Sequence, residues 1–238
     1  MFTAKDFAGF QGKEVELWVK PSDATGPNVA DGTLYKIRGA QNFNPTEEKA
    51  ESRVPELGYD ATKTIYGTTS YSVSTSLIIR DLVQIARMSG LNPNTAARLV
   101  VSEINQINCL SWVLDPDDRS SVIETCYVGG FKARTANKTF ATEANATITL
   151  DGSADLVAMV DGKAQVREHL GDGSCTLFEM ESGVAEGEVY LVENPAGNAM
   201  SLWDGYTYTA SGIGGNPSIT FTTAPTDGSK VRILYAYQ

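Results

Sequence analysis

Asp-Gly turns divide this sequence into short segments and favour a fold built from β-hairpins. The dipeptide occurs six times, with its Asp at positions 31, 151, 161, 172, 204 and 227. Asp-Gly is typical of two-residue hairpin turns because glycine adopts a positive φ without a steric penalty. Short runs rich in Val, Ile, Thr and Tyr lie between these turns, as expected of β-strands. The sequence therefore predicts a mainly β, antiparallel fold.

Apolar and polar residues alternate along the segments that we predict as strands. In 14–20 and 33–38 the alternation has the period of two of half-buried strands, and these two segments can pair. Further strands are predicted at 71–79, 107–114, 122–128, 147–150, 156–160, 189–193, 207–210, 218–222 and 230–237.

Helix signals occur in three segments. Asp81 can cap a short helix that ends at Gly90, and a stretch at 95–105 fits either a helix or a strand. The segment 44–47 has the cap, proline and glutamate of a helix start, which predicts one or two turns that end before Pro55. The fold class that follows is an antiparallel β-sandwich or barrel with one or two short flanking helices.

Length and composition indicate how the chain is organised. Its 238 residues suffice for one large β-domain or two small ones. Glycine and acidic residues become frequent between 171 and 187, which indicates a linker or long loop. We therefore predict a β-barrel or sandwich domain at 1–170 and a C-terminal β extension, either a module or a barrel-completing piece, at 171–238. No apolar run approaches the ~20 residues that span a bilayer, and residues 1–7 lack a signal-peptide core. We expect no membrane insertion and synthesis without secretion.

The acidic balance of the chain excludes one class of partner. The formal net charge is −10, with 19 Lys and Arg against 29 Asp and Glu. Such a chain is not expected to bind nucleic acid by neutralising its phosphates, or to bind an anionic membrane.

Few residues offer catalytic or metal-binding chemistry. Cys109, Cys126 and Cys175 are widely spaced without a CxxC pattern, so buried free thiols are the simplest interpretation. Cys109 and Cys126 lie on opposite arms of a predicted hairpin, where oxidation after release from the cell is the alternative. His169 is the single histidine, and it lies near Ser174 and Cys175. Because no motif supplies an orienting group or an oxyanion hole, we interpret His169 as a partly exposed loop residue. No cofactor or metal is expected.

A charged segment at 46–59 separates two predicted strands where a tight turn would suffice. Ordering so long an insertion requires contacts, and its mixed charges with apolar anchors suit docking on another subunit. A solvated loop is the simpler interpretation of a charge run. The subunit-interface candidates are Glu47, Glu48, Lys49, Glu51, Arg53, Val54, Leu57 and Tyr59.

The order of these segments resembles that of bacteriophage tail tube proteins. The resemblance rests on two strands, a charged loop ending in Val-Pro-Glu-Leu-Gly at 54–58, a strand at 71–79 and a helix at 82–89. The stretch 138–152 is similar to a strand pair of contractile-tail tubes, and 204–231 resembles small β-modules of phage tail components. Together these segments cover most of the chain.

The resemblance implies a structural protein without catalysis, six copies to a ring and rings stacked into a hollow tube that conducts DNA. The partners that it implies are further copies of the chain, a tail sheath protein, and baseplate and tail terminator proteins. It also implies a place in the virion tail after assembly in the host cytoplasm. Six copies at −10 give a ring of −60, and acidic groups in the bore would repel DNA and let it slide.

Two other classes of function remain open at this stage. A carbohydrate- or receptor-binding module of a tail tip or fibre is the first, because Trp203, Tyr206 and Tyr208 can stack on sugars. An enzyme is the second, and it would depend on His169.

Overall fold

The structure is a computed structural model that describes residues 15–27, 33–55, 62–79, 82–91, 104–139, 146–200 and 205–237. Fifteen strands and one α-helix, α1 (Leu82–Met88), lie in these ranges. The strands are β1 (Val15–Pro21), β2 (Tyr35–Lys36), β3 (Ala40–Pro55), β4 (Thr62–Ile78), β5 (Ile107–Leu114), β6 (Val122–Thr139), β7 (Thr147–Ala154), β8 (Leu156–Asp161), β9 (Ala164–Leu170), β10 (Leu177–Glu179), β11 (Val189–Glu193), β12 (Ala199–Met200), β13 (Tyr206–Thr209), β14 (Ser218–Phe221) and β15 (Lys230–Ala236).

The first eight strands form one antiparallel sheet that folds back on itself at β6. The strand order is β2-β1-β5-β6-β7-β4-β3, and β8 also pairs with β6. Residues 122–131 of β6 pair with β5, and β8 lies on the other side of this part. Residues 132–139 of β6 pair with β7. The sheet therefore has a first layer (β2-β1-β5-β6-β8) and a second layer (β3-β4-β7-β6).

A core of aliphatic side chains lies between these two layers and α1. Each such side chain contributes about 1.5–3 kcal/mol when fully buried. Its buried members include Leu17, Val19, Val73, Leu77, Ile85, Met88, Ile107, Cys109, Val128, Ile148 and Leu150.

Two smaller sheets stack on the other face of the first layer. The third layer has the order β12-β11-β15-β9 and the fourth layer the order β10-β14-β13. Leu110, Trp112 and Tyr127 of the first layer pack against Val166 and Leu234 of the third. A further core, which includes Phe178, Val192, Ile219, Val231 and Tyr235, lies between the third and fourth layers. The layers thus stack in the order second, first, third, fourth.

Burial on both faces explains the composition of β5. Ile107 and Cys109 point to the core shared with the second layer, whereas Leu110 and Trp112 point to the third. Because alternate residues of a strand face opposite sides, a strand buried on both faces is apolar throughout.

The predicted fold class is confirmed. The described residues form a mainly antiparallel, sandwich-like β fold with one short flanking helix, and their sheets do not close into a barrel. The predicted pairing of the first two strands is present as β1 with β2, and the helix after 81 is present as α1. The other predicted helix, at 95–105, lies mostly outside the described residues.

The predicted helical turns and loop after residue 44 are wrong, because this segment is strand β3. It pairs with β4 along nearly its whole length, from Ala40 opposite Leu77 to Pro55 opposite Thr62. The Glu, Lys and Ala residues here favour helix, but that preference is only tenths of a kcal/mol per residue. Backbone pairing with a partner rich in Ser, Thr and Tyr outweighs it.

The C-terminal sheets share a strand with residues before 171. Strand β9 pairs with β15 over its full length, from Ala164 opposite Ala236 to Leu170 opposite Lys230. The division into domains at 1–170 and 171–238 stays a prediction. Among the described residues, α1 is too short to cross a bilayer and no other helix is long and apolar enough.

Candidate functional site

On the outer face of the second layer, polar side chains form three rows that run across the strands. Cross-strand partners point to the same face of a sheet, so the pairing register shows which residues share it. The rows, which we call the polar face, are Asn42, Ser76, Thr149 and Asn137; Asn44, Ser74, Asp151 and Thr135; and Thr46, Ser72, Ser153 and Lys132. The intervening rows, such as Phe43, Thr75, Leu150 and Ala136, point to the core.

Hydroxyl and amide groups dominate the polar face, and its two charged groups have opposite signs. Asp151 is at its centre, where Ser74 Oγ donates a hydrogen bond to Oδ1 at 2.6 Å and Thr135 Oγ1 donates to Oδ2 at 3.3 Å. Lys132 lies in the outermost strand. The face therefore offers many hydrogen-bonding groups but no concentration of positive charge.

Both borders of the second layer are free strand edges. In the described residues, β3 pairs only with β4, and residues 132–139 of β6 pair only with β7. A free edge carries a row of unpaired backbone donors and acceptors and can pair with another chain. The two edges lie on opposite sides of the same sheet.

The β3–β4 hairpin extends beyond the rest of the second layer. Strand β4 pairs with β7 from Tyr71 to Ile78, and among the strands that the structure describes, 48–55 and 62–70 form ladder pairs only with each other. We call this part the ribbon. At about 3.3 Å per residue it is about 25 Å long. An isolated two-stranded ribbon is marginally stable in water, so a second surface would stabilise it.

Six of the eight predicted interface residues lie in a row along β3. Glu47, Glu48, Lys49, Glu51, Arg53 and Val54 are opposite Tyr71, Ser70, Thr69, Tyr66, Thr64 and Lys63. Glu47, Glu48 and Lys49 are exposed. Burial, and then the charge of Glu47, raises the pKa of Tyr71 above its usual value. Leu57 and Tyr59 lie outside the described residues. The structure thus places the six along one free edge, and their role in subunit contact stays a prediction.

A buried group of charged residues, which we call the Arg232 cluster, joins the third layer to the first. Arg232 Nε is 2.9 Å from Glu168 Oε2, Nη2 is 2.9 Å from Asp155 Oδ2 and Nη1 is 3.4 Å from Glu193 Oε2. Tyr127 donates its phenol proton to Glu193 Oε1 at 2.8 Å. Burial, followed by the charge of Glu193, raises the pKa of Tyr127 well above its ordinary value. Every buried charge in this cluster is paired, as burial requires.

Sequence reasoning missed both the polar face and the Arg232 cluster. For the polar face, the signal was the alternation of serine with larger residues in Ser-Tyr-Ser-Val-Ser-Thr-Ser at 70–76. For the cluster, the signal was a single arginine inside the apolar strand Val-Arg-Ile-Leu-Tyr at 231–235.

His169 is buried in strand β9, so the prediction of an exposed loop histidine is wrong. Its ring packs against Phe178 at an angle of 68°, with 5.4 Å between centroids. The ring nitrogens face the backbone of Pro27 and Glu179 without hydrogen-bond geometry. Burial, and then the positive charge of Arg167, lowers the pKa of His169 to about 4. The sequence of β9 does not predict a strand, because buried polar residues interrupt the alternation of apolar and polar side chains.

The nearby nucleophile candidates are engaged with other residues, and the Cys175 thiol donates to the Leu177 carbonyl at 3.1 Å. The Asp172 carboxylate accepts hydrogen bonds from the backbone N–H groups of Ser174 and Cys175, at 2.9 and 2.7 Å. The Ser174 hydroxyl also donates to this carboxylate at 3.0 Å. His169 and these residues therefore do not form a hydrogen-bonded pair.

The three cysteines are free thiols. Cys109 is opposite Val128 and Cys126 is opposite Ser111, so the two cysteines are diagonal neighbours. Diagonal side chains lie about 7 Å apart, too far for a disulfide without backbone movement. Burial raises the pKa of the Cys109 thiol, and burial with the charge of Glu124 raises that of Cys126 to about 11.

The aromatic residues proposed for sugar stacking are engaged in packing. Tyr206 belongs to the core between the third and fourth layers, and Tyr208 donates its phenol proton to the Val184 carbonyl at 2.6 Å. Trp203 lies outside the described residues. The described part of the chain contains no cluster of three or more His, Cys, Asp or Glu residues that could hold a metal ion.

Comparison with known proteins gives likenesses of structure only. No family model and no curated protein matches the chain. Among solved structures, it is similar to the SPP1 tail tube, with 14% identity over 64% of this chain and 80% of that one and a TM-score of 0.44. The anti-feeding prophage baseplate gives 10% identity over 62% and 93% of the two chains and a TM-score of 0.43. The tail of an empty gene transfer agent (GTA) particle gives 16% over 64% and 98%, with a TM-score of 0.40. These three solved structures are a tail tube, a baseplate and the tail of a particle.

Proposed function

We propose that the chain is a structural subunit that assembles with copies of itself into stacked rings, which form the wall of a hollow tail tube. The observation that supports this most directly is the design of the second layer. Within the described part of the chain it is a four-stranded sheet with a free edge on each side, a polar face on one surface and all other layers on the opposite surface.

Ring formation would use the two free edges. Strand β3 of one copy would pair with residues 132–139 of β6 in the next, which is a head-to-tail contact. Such contacts generate a closed ring when the rotation between neighbours is a whole fraction of a turn. Closure leaves no free edge in the second layer, so it removes the surface that otherwise promotes aggregation. Six copies to a ring is the number that the sequence resemblance implies.

The bore of such a ring would be lined by the polar face. The first, third and fourth layers lie on the apolar side of the second, so they would form the outer part of the wall. Hydroxyl and amide groups can hydrogen-bond to water, and Lys132 is the one cation among the twelve residues of the face. A polyanion such as DNA would pass this surface without an array of cations to hold it.

Contacts between rings would use the ribbon. It projects from the second layer, and its predicted interface residues include both Glu and Lys or Arg, which suits a copy of itself with similar mixed charge. A tail sheath protein, a baseplate and a terminator are the proposed partners along the tube and at its ends. The protein would reside in the virion tail and would have no catalytic role.

Shortening the ribbon tests this function. Replacement of residues 49–69 by Asn-Gly joins Glu48 to Ser70, its present partner, through a two-residue hairpin turn. We expect the shortened chain to fold, because the three cores lie elsewhere, and to form single rings without stacked tubes in negative-stain electron microscopy. The unchanged chain should form tubes.

A surface-charge variant controls for effects unrelated to the ribbon. Asp117→Asn with Asp118→Asn alters an exposed loop between β5 and β6 and should leave the tubes intact. Normal tubes from the shortened chain would contradict the role of the ribbon. A full-length chain that forms neither rings nor tubes would contradict the proposed function as a whole.

A further inference from the structure

The long hairpin formed by β6 with β7 and β8 passes from the second layer to the first at one bend. Lys132 is opposite Ser153 before the bend and Gly129 is opposite Leu156 after it, so one register continues through it. Asp155, between β7 and β8, is therefore opposite Gly130. Its N–H donates to the Gly129 carbonyl at 2.9 Å. The bend thus sets the angle between the two layers.

Gly130 lets this bend come close to the third layer. Its φ is +66°, a left-handed conformation that favours glycine. A Cβ atom at this position would lie 2.0 Å from Asp155 Oδ2 and 2.7 Å from Arg232 Nη2. The pairing of β5 with β6 also shifts here, and Asn108 Oδ1 accepts the Gly130 N–H at 3.0 Å. These are the features of a β-bulge, which bends a strand locally.

Arg232 of the third layer is connected to both strands of the hairpin at the bend. Its Nη2 donates to Asp155 Oδ2 at 2.9 Å, which holds the strand made of β7 and β8. Its Nε donates to Glu168 Oε2 at 2.9 Å, and Asn108 Nδ2 donates to the same oxygen at 3.1 Å. Asn108 Oδ1 in turn accepts a hydrogen bond from the Gly130 N–H, and this bond attaches β6 to the cluster.

Asp155 is the accessible member of this arrangement. Its side chain is 32% exposed, whereas those of Arg232 and Glu168 are fully buried. Removing the charge of Asp155 leaves Arg232 paired with Glu168 and Glu193, so no buried charge becomes unpaired. The link to the bend can therefore be weakened without disrupting the fold.

We propose that Arg232 is a positioning residue that fixes the angle between the first and second layers by holding the bend through Asp155. The inference rests on the proposed function, because that angle determines how the free edges of neighbouring copies meet. A closed ring requires one fixed rotation between neighbours. The third layer thus controls the geometry of the second layer through the bend.

Three variants separate the effect of the Asp155 charge from the effects of changing this side chain or of removing an acidic group elsewhere. Asp155→Asn keeps the size of the side chain and removes its charge, while Asp155→Glu keeps the charge. Asp161→Asn removes an exposed carboxylate at the far end of β8, outside the Arg232 cluster. We expect all three to unfold within about 4 °C of the unchanged protein.

The angle is measured on the monomer by pulsed electron paramagnetic resonance. Spin labels go on genetically encoded azido residues at Ser120, in the turn that joins β5 and β6 of the first layer, and at Asn137 in the second layer. Both positions are exposed, and the cysteines stay untouched. We expect Asp155→Asn to shift and widen the distance distribution and to lose ring formation. Asp155→Glu and Asp161→Asn should retain both properties.

Each result decides one part of the proposal. An unchanged distance distribution in Asp155→Asn overturns the positioning role, whether or not tubes form. The role is also overturned if Asp155→Glu changes the distribution as Asp155→Asn does. A changed distribution with normal rings overturns the link between the angle and assembly. Failure of the unchanged protein to assemble counts against the proposed function alone, because the monomer measurement still tests the positioning role.

Discussion

At the scale of single residues, Arg232 and His169 show two ways to accommodate a basic side chain in a β core. Arg232 keeps its charge because three carboxylates lie within 3.4 Å of it. His169 has no carboxylate partner among the described residues and packs against the ring of Phe178. An unpaired buried charge costs several kcal/mol, so His169 is stable in the folded protein only in its neutral form.

His169 is expected to make the protein less stable in acid. Its pKa is about 4 in the folded chain and 6.5 in the unfolded chain, so between these values the unfolded chain binds the proton more tightly. The stabilisation is complete above pH 6.5 and is lost as the pH falls towards 4, by on the order of 3 kcal/mol. Denaturant unfolding at both ends of this range measures the loss.

The variant His169→Leu isolates this contribution from that of the carboxylates. It fills a similar volume and cannot be protonated, so its free energy of unfolding should fall less between pH 6.5 and pH 4 than that of the unchanged protein. Equal losses in the two proteins would show that His169 is not protonated on unfolding in this range.

At the scale of strands, predictability follows burial. Strands β5 and β11 have the predicted bounds, since each is a short apolar run. Strand β9 was missed because Gln165, Glu168 and His169 are buried polar residues that disguise its position in a core. The burial of Glu168 depends on Arg232, which is 64 residues away, and no local pattern contains that information.

The candidate site was less predictable than the core. The charge of the ribbon residues marks them in the sequence, but it predicts a loop because Glu and Lys are poor strand formers. Their strand conformation comes from pairing with β4. The polar face consists of Ser, Thr and Asn, which are equally common in loops, so only the register of four strands shows that they share a surface.

Because the positive and negative charges of the polar face balance, adding cations to it should create DNA binding. Ser72→Arg with Asn137→Arg places two cations on exposed positions of this face, in separate strands. We expect assembled tubes of this variant to bind short duplex DNA with an affinity that falls as salt rises, because phosphate contacts release counterions. Electrophoretic mobility shift at several salt concentrations measures the binding, and unchanged tubes should not bind.

The same charge placed elsewhere provides the control. Ser120→Arg with Ser182→Arg also adds two cations at exposed positions, but outside the second layer. Equal DNA binding by tubes of both variants would indicate that net charge, and not the polar face, controls the contact. No binding by tubes of the first variant would contradict the assignment of this face to the bore.

At the scale of the whole molecule, the third layer connects the assembly surface to the C-terminal sheets. Its Val166 and Leu234 cover the outer face of the first layer, where Leu110, Trp112 and Tyr127 are buried, and the Arg232 cluster lies beside them. The five large buried side chains of this cluster each contribute about 1.5–3 kcal/mol, whereas the net stability of a whole domain is only about 5–15 kcal/mol. The C-terminal sheets are therefore expected to be integral to the fold.

Truncation tests this expectation. A chain of residues 1–170 keeps β9 but loses its partner β15 and leaves the apolar outer face of the first layer exposed. We expect this chain to be insoluble when expressed alone. If it is instead soluble and monomeric, with the near-ultraviolet circular dichroism of packed Trp112, the predicted domain at 1–170 folds independently and the C-terminal sheets are an appendage.

Cleaving the backbone after β9 shows whether the C-terminal sheets must be covalently attached or only present. Gly173 and Ser174 are exposed in the turn after β9, so a protease site can be inserted between them. After cleavage, the pieces should co-elute in size-exclusion chromatography, because the cleavage leaves the pairing of β9 with β15 and the ion pairs of Arg232 intact. Dissociation into two soluble pieces would show that the interface is weaker than its buried area and charges predict. Co-elution of the cut chain, together with insolubility of 1–170, would establish that the third layer is needed as a contact surface and not as a covalent extension.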